Sequence, residues 1–293
     1  MPKVGTTERC GIAELPTGNR AGLLQTRAES ARRQLECCQL CEHRCEVNRA
    51  EGELGVCRAG PVARVFRHRV EYGEELELVP SHIFYLSGCD LRCVFCIAEA
   101  NAFDPERGVP LTSEFFAQAV HWGKQQGARN VQWLGGEATI HLAQILEVMA
   151  ACPEQVRMIW KSNFHFSLDT LDLLRGIADV YVADFKFGND HCATSLAGVD
   201  NYLAIVTRNM LLAARQGELI IRHLLMPGHI ECCLKPVVEW VRRHLPDGKF
   251  SLRNGYMPAW QARHFGELAR HVSTQEYSHA VEIAGRAKLN LID

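Results

Sequence analysis

From residue 83 to the end of the chain, short apolar runs alternate with longer amphipathic stretches. The runs fall at 83–87, 131–134, 157–162, 180–184, 219–226 and 250–254. Helical periodicity fills the gaps. One stretch starts at Ser113, with Thr112 or Ser113 as N-cap, and places Phe115, Phe116, Ala119, Val120 and Trp122 at helical spacing. The others are 140–150, 168–175, 202–216, 234–244 and 274–284. Six strands alternating with six helices predict an α/β fold, a parallel sheet with helices outside. The nearly continuous apolar strands fit burial on both faces. Six units are fewer than the eight of a closed barrel, so a partial (β/α)6 barrel is expected, with a flavodoxin-like open sheet as the alternative. Upstream, 62–80 alternates like a strand followed by a turn at 71–75, and 21–36 has helical character within a polar opening that looks loosely ordered. The division expected is an N-terminal segment, 1–36; a cysteine-rich module with a strand extension, 37–80; and the barrel, 81–293.

Every unusual residue group falls at the C-terminal end of a predicted strand, where parallel α/β folds place their chemistry. After the first strand, Gly88 permits a tight turn, and Cys89, Cys93 and Cys96 follow in a C-x3-C-x2-C spacing. Cysteine thiolates hold iron–sulfur clusters, and a 4Fe–4S cubane normally takes four. Three leave one iron open for a substrate or cofactor; a zinc knuckle or merely adjacent thiols are the plainer readings. Gly135, Gly136 and Glu137 end the second strand, where the glycines would let a ligand approach the backbone. Lys161, Ser162 and Asn163 end the third, where ordinary turn chemistry is the alternative. Asp184 and Lys186, two residues apart, end the fourth and share one side if the strand continues. Arg222 and His223 interrupt the apolar fifth, so one of them should face the interior and find a partner. Arg253 and Asn254, followed by Tyr256 and Met257, end the sixth.

The chain has 293 residues, with 32 basic against 34 acidic side chains and a net charge of −2. That balance gives no field suited to nucleic acid or membrane. No apolar run approaches the ~20 residues of a membrane span. The first residues lack a signal-peptide core, so the thirteen cysteines are expected in a reducing cytosol, where clustered thiols mean metal or catalysis. Cys38, Cys41, Cys45 and Cys57 can close a second metal site, zinc or iron, in a module too short to fold without it. Cys10, Cys152, Cys192, Cys232 and Cys233 follow no local spacing and are read as structural or incidental.

The C-x3-C-x2-C run, with Phe95 before its last cysteine, resembles the radical S-adenosylmethionine (SAM) enzymes. The resemblance implies a three-quarter barrel and a 4Fe–4S cluster whose open iron chelates the amino and carboxylate groups of SAM. Reductive cleavage then yields a 5′-deoxyadenosyl radical that takes hydrogen from a substrate. It also implies Phe95 beside the adenine, Gly135–Gly136–Glu137 at the amino group, and Ser162, Asn163, Asp184, Lys186, Arg222 and His223 around the ribose, methionine and carboxylate. A flavodoxin- or ferredoxin-type electron donor is implied as well. The runs 38–49, 52–60, 184–186 and 222–228 resemble the uncharacterised branch of pyruvate formate-lyase activating enzyme-like proteins. Glycyl-radical activators often carry extra clusters after the first cluster loop, whereas here residues 97–131 hold no cysteine and the additional thiols come earlier. The leading expectation is hydrogen abstraction from a peptide or protein, a glycine of a partner enzyme included. The alternatives are a small metabolite, a ribosomal peptide, or a non-catalytic iron–sulfur or zinc interaction protein.

Overall fold

The computed structural model describes residues 20–73 and 75–292; the expectations for 1–19, Cys10 among them, lie outside that range. In chain order the elements are α1 (Arg20–Arg33), β1 (Arg64–Glu71), β2 (Ser81–Leu86), α2 (Glu99–Ala102), β3 (Val109–Pro110), α3 (Ser113–Gln125), β4 (Asn130–Gly135), α4 (Leu142–Ala151), β5 (Met158–Ser162), α5 (Leu168–Leu174), β6 (Val180–Asp184), α6 (Asp190–Ala197), α7 (Tyr202–Ala213), β7 (Glu218–Leu224), α8 (Lys235–His244), β8 (Lys249–Arg253), α9 (Thr274–Arg286) and β9 (Asn290–Ile292). A π-turn, Ile230–Leu234, leads into α8.

Among the described residues, nine strands form a single sheet in the order β3-β1-β2-β4-β5-β6-β7-β8-β9. The six expected strands are there, parallel and in sequence. A seventh parallel strand, β9, adds to β8, and the antiparallel β1 and β3 extend the other side, so the sheet is open-edged. Neither β9 nor α6 shows in the apolar pattern. Asn290–Ile292 is too short to alternate, and α6 is fixed by its caps: Asn189 accepts from the Cys192 amide and Gly198 closes the helix at φ 70°.

Strand parity separates two faces. Phe84, Trp133, Trp160, Tyr181, Ile221 and Phe250 pack in the main core with the helices. The opposite, concave face begins apolar, where Ile159, Val180, Val182 and Ile220 surround Leu78 from the β1–β2 connection. Two residues further along the same strands it carries Lys161, Asp184 and Arg222. Apolar plug below and charge above follow from one alternation, read toward the strands' C-terminal ends. Helix α1 lies on the fold rather than apart from it, because Leu24, Ala28 and Ala31 make one buried stripe, continued by Leu35 just beyond the helix. Among the described residues, no helix is long and apolar enough to cross a membrane.

Candidate functional site

After β2 the chain turns at Gly88 (φ +86°) into the loop that carries the three thiols. The loop is tied down on three sides. The amides of Arg92 and Val94 donate to Ala197 and Leu196 at the end of α6, at 3.0 and 2.8 Å. The Gln261 amide reaches Val94 O at 3.0 Å, and the Arg92 guanidinium donates to Val56 O at 2.8 Å. The Leu91 amide points at Cys89 Sγ, 3.4 Å away. Burial pushes all three thiols up, Cys93 to about 12, while the Lys186 ammonium pulls Cys93 and Cys96 the other way. Buried thiols so reluctant to ionise are poor free nucleophiles, and a bound metal supplies the charge that makes them thiolates. Three soft sulfurs on one buried loop therefore fit an iron–sulfur cluster with three protein ligands.

Beside this loop, the ends of β4 and β5 are knit by hydrogen bonds. Glu137 Oε1 accepts from the Thr139 amide (3.0 Å), the Thr139 hydroxyl (2.6 Å) and the Ser162 hydroxyl (2.8 Å); its Oε2 accepts from the Asn163 amide at 2.9 Å. The Asn163 side chain donates to Asp90 Oδ1 at 2.7 Å, and His165 Nδ1 lies 3.2 Å from Asp90 Oδ2. Burial pushes the Glu137 carboxyl up to about 7, with the Asp90 charge adding to it. Burial opposes the Asp90 charge too, but the bonds from His165 and Asn163 outweigh it and hold that carboxyl below its usual range. The glycines before Glu137 serve the chain itself. A Cβ on Gly135 would stand 2.3 Å from Leu86 N, and one on Gly136 would stand 1.9 Å from Gly88 O. These glycines let β4 close onto β2 and the cluster loop, a contact between two stretches of backbone that the pattern Gly-Gly-Glu does not reveal.

The ends of β6 and β7 carry ions. Lys186 Nζ donates to Asp184 Oδ2 at 2.5 Å, and Arg222 Nη1 lies 4.0 Å from Asp184 Oδ1. Burial would raise the Asp184 carboxyl, but Lys186, Arg222 and Lys161 together hold it down to about 2. Glu75, placed in a turn by its sequence, is wholly buried. Its carboxylate faces Lys161 (3.7 Å), Arg222 (3.4 Å) and Ser251 Oγ (3.4 Å). Arg222 thus faces the concave side. His223 takes the opposite face, buried, with Nδ1 2.7 Å from Phe185 O and burial pushing its pKa down to about 4. Phe95 is buried with its ring 6.2 Å from Phe187 and 6.1 Å from Tyr256. Arg253 turns away toward Gly73 O.

The upstream module packs against the cluster loop. Cys38, Cys41 and Cys57 are buried and Cys45 half-buried, its sulfur accepting from the Val56 amide at 3.4 Å. Buried Arg49 fastens the module, donating to Ala59 O, Gly60 O and Ile140 O, each at 2.8 Å. His43 Nε2 sits 2.9 Å from Asp90 O, so the module meets the loop at the residue next to Cys89. Among the described residues, groups of three or more ligand atoms all within 4.8 Å of one another occur at His43–Asp90–His165 and at Cys192–His229–Cys232–Cys233. The four upstream thiols are not such a group as they stand. Sulfurs on separate irons of a cubane stand wider than ligands of a single ion, so that measure does not apply to Cys89, Cys93 and Cys96. Sequence reasoning missed Asp90, His165, His43 and Glu75. Only Asp90 carried a signal, an acid set between two predicted metal ligands.

Known proteins match this architecture. The family profile of the Radical SAM superfamily matches residues 83–241. The uncharacterized protein MJ0674 of Methanocaldococcus jannaschii is 35% identical over 279 residues, covering 92% of this chain and 80% of that protein. The crystal structure of Streptococcus suis SuiB bound to precursor peptide SuiA superposes with a TM-score of 0.52 at 17% identity, covering 69% of this chain and 46% of SuiB. SuiB bound to S-adenosylmethionine gives the same score. The chain spans about half of SuiB's length, and at that identity the likeness is one of fold. The family profile, together with three thiols at the C-terminal end of the first parallel strand, places the chain in the Radical SAM superfamily.

Proposed function

We propose that the chain is a radical SAM enzyme that abstracts hydrogen from a peptide or protein. When bound, the 4Fe–4S cluster and SAM supply the electron and the 5′-deoxyadenosyl radical that removes the hydrogen. The observation that carries the reading is the gathering of buried Cys89 and half-buried Cys93 and Cys96 on one clamped loop beside the Asp184–Lys186–Arg222 ions. Cys89, Cys93 and Cys96 would hold the cluster. Lys186 and Arg222, fixed by Asp184, would offer cations to the cofactor carboxylate. Phe95 would pack beside the cofactor, and the Glu137 network holds the β4 and β5 ends in register. A bulky substrate is supported by the exposed apolar side chains flanking the loop: Ile97 just after Cys96, Val56 on the module and Met257 beyond β8. A glycine of a partner enzyme falls within this class; a small metabolite or a ribosomal peptide is the alternative.

Reduced, cluster-replete protein should form 5′-deoxyadenosine and methionine slowly by itself and faster with its substrate. Deuterium at the abstracted position of a candidate peptide should appear in the 5′-deoxyadenosine. Absence of 5′-deoxyadenosine with several reductants, alone and with candidate partners, would overturn the enzymatic reading. Acceleration by a small metabolite and not by peptides would overturn the choice of substrate.

A further inference from the structure

Cysteines 192, 232 and 233 have no motif in the sequence, yet the fold gathers them around His229. His229 Nδ1 lies 3.2 Å from Cys232 Sγ, 3.9 Å from Cys192 Sγ and 3.9 Å from Cys233 Sγ. Cys232 and Cys233 sulfurs are 3.9 Å apart, and all four ligand atoms fall within 4.8 Å of one another. Cys192 and Cys233 are buried, Cys232 and His229 half-buried. The geometry points to a closed, structural Cys3His site for a single divalent ion of zinc's softness, separate from the cluster loop and from the upstream module.

Bond lengths decide between one ion and a cluster. Zinc with sulfur at ~2.3 Å and nitrogen at ~2.0 Å needs sulfurs about 3.8 Å apart and nitrogen about 3.5 Å from each sulfur. The three nitrogen–sulfur distances and the Cys232–Cys233 distance lie within about 0.4 Å of those values, and the remaining sulfur pairs lie within 4.8 Å. A cubane would need its ligands further apart, each on its own iron. Three soft sulfurs and an imidazole favour zinc over magnesium or calcium. Four protein ligands leave no open position, which marks a structural site.

The local structure around the four is built to bring them together. The wider π-turn at Ile230–Leu234 lets two adjacent cysteines approach one point, and such turns gather at functional sites. Gly188 makes room beside it, since a Cβ there would stand 2.4 Å from Cys233 O. Asn189 supplies the outer support. Its amide nitrogen is 3.2 Å from Cys192 Sγ and donates to Cys232 O at 2.7 Å, while its oxygen accepts from Cys192 N at 2.7 Å. An ion here would staple the start of α6 to the β7–α8 connection. Both segments lie directly behind the loop 185–188 that carries Lys186, so the ion would brace the charged side of the site.

Metal analysis of the full-length protein tests this without disturbing the fold. Cysteine alkylation mapped by peptide mass spectrometry, before and after a zinc-selective chelator, should show Cys192 and Cys232 reacting at least about tenfold faster once the metal is removed. Adding zinc back should restore protection, and iron content should stay constant throughout. The Cys192→Ser variant should lose about one zinc per chain relative to the parent. Equal alkylation with and without chelator, or a Cys232–Cys233 disulfide in freshly prepared protein, would overturn the site.

Discussion

Two halves of the same sheet edge are built by opposite means. At the β4 and β5 ends every polar side chain is consumed by the protein: Glu137, Ser162, Asn163, Asp90 and His165 are all buried and bonded to one another or to neighbouring backbone. At the β6 and β7 ends the side chains of Asp184, Lys186 and Arg222 stay about one-fifth exposed, 21%, 20% and 22%. Buried networks satisfied from within rigidify a fold and offer little to a ligand. Partly exposed ions remain accessible to one. The contrast supports the proposed roles, scaffolding for the first half and ligand recognition for the second.

The sharpest attack on that division is Gly136→Val. Its side chain would drive into Gly88 O, which is backbone and cannot swing aside. The cluster loop would be displaced, with a cost of about 3 kcal/mol or more. Iron and sulfide analysis should show most of the cluster lost, and thermal unfolding a clearly lower midpoint. Retention of full iron would break the scaffold assignment.

Lys186→Met should do the converse. Iron content should match the parent, while SAM binding by calorimetry weakens about tenfold, or ~1.4 kcal/mol. Unchanged affinity would remove Lys186 from the recognition half. Arg222→Met should weaken binding too, and lower stability besides, since it leaves buried Glu75 with one cation fewer.

The smallest effect is expected from Glu137→Gln, which keeps the shape and loses the acceptor facing the Asn163 amide. The cost at pH 5 should be about 1 kcal/mol in urea unfolding, with SAM affinity held within about twofold. Its pH dependence has a definite sign. Folding raises the Glu137 carboxyl from 4.5 to about 7. Its favourable contribution is therefore full below 4.5 and falls as pH rises through 7. The variant does not titrate there, so the parent's advantage should fall between pH 4.5 and 7 and reverse by pH 8. An advantage of the parent that grows with pH would contradict the buried, proton-holding role.

Local patterns made the strand–helix rhythm and the three-thiol loop legible, because both are written in neighbouring residues. What stayed hidden depends on contacts distant in sequence. Glu75 reads as solvent-facing in a run of acids, and only topology carries it to Lys161, Arg222 and Ser251. The close approach of the paired glycines to Leu86 and to Gly88 is likewise a contact distant in sequence, which the pattern Gly-Gly-Glu does not show. The Cys192 group eluded spacing rules because a helix and a strand separate its first member from the other three. His223 and Arg222, adjacent in sequence, fall on opposite faces once parity is fixed, and only Arg222 joins the ions.

Anchorage of the upstream module by Arg49 also imposes an order in time. The module leaves the ribosome early, yet Arg49 donates to Ile140 O, the Glu42 amide to His165 O, and the Ser167 amide to Leu40 O. Arg208 completes the set with its bond to Glu42 at 2.8 Å. Each of these partners lies 91 or more residues further along the chain. Through that interval Cys38, Cys41, Cys45 and Cys57 lack the contacts that later bury three of them. The nascent thiols are then open to oxidation and to whatever metal the cell supplies, before the contacts of the finished fold can discriminate.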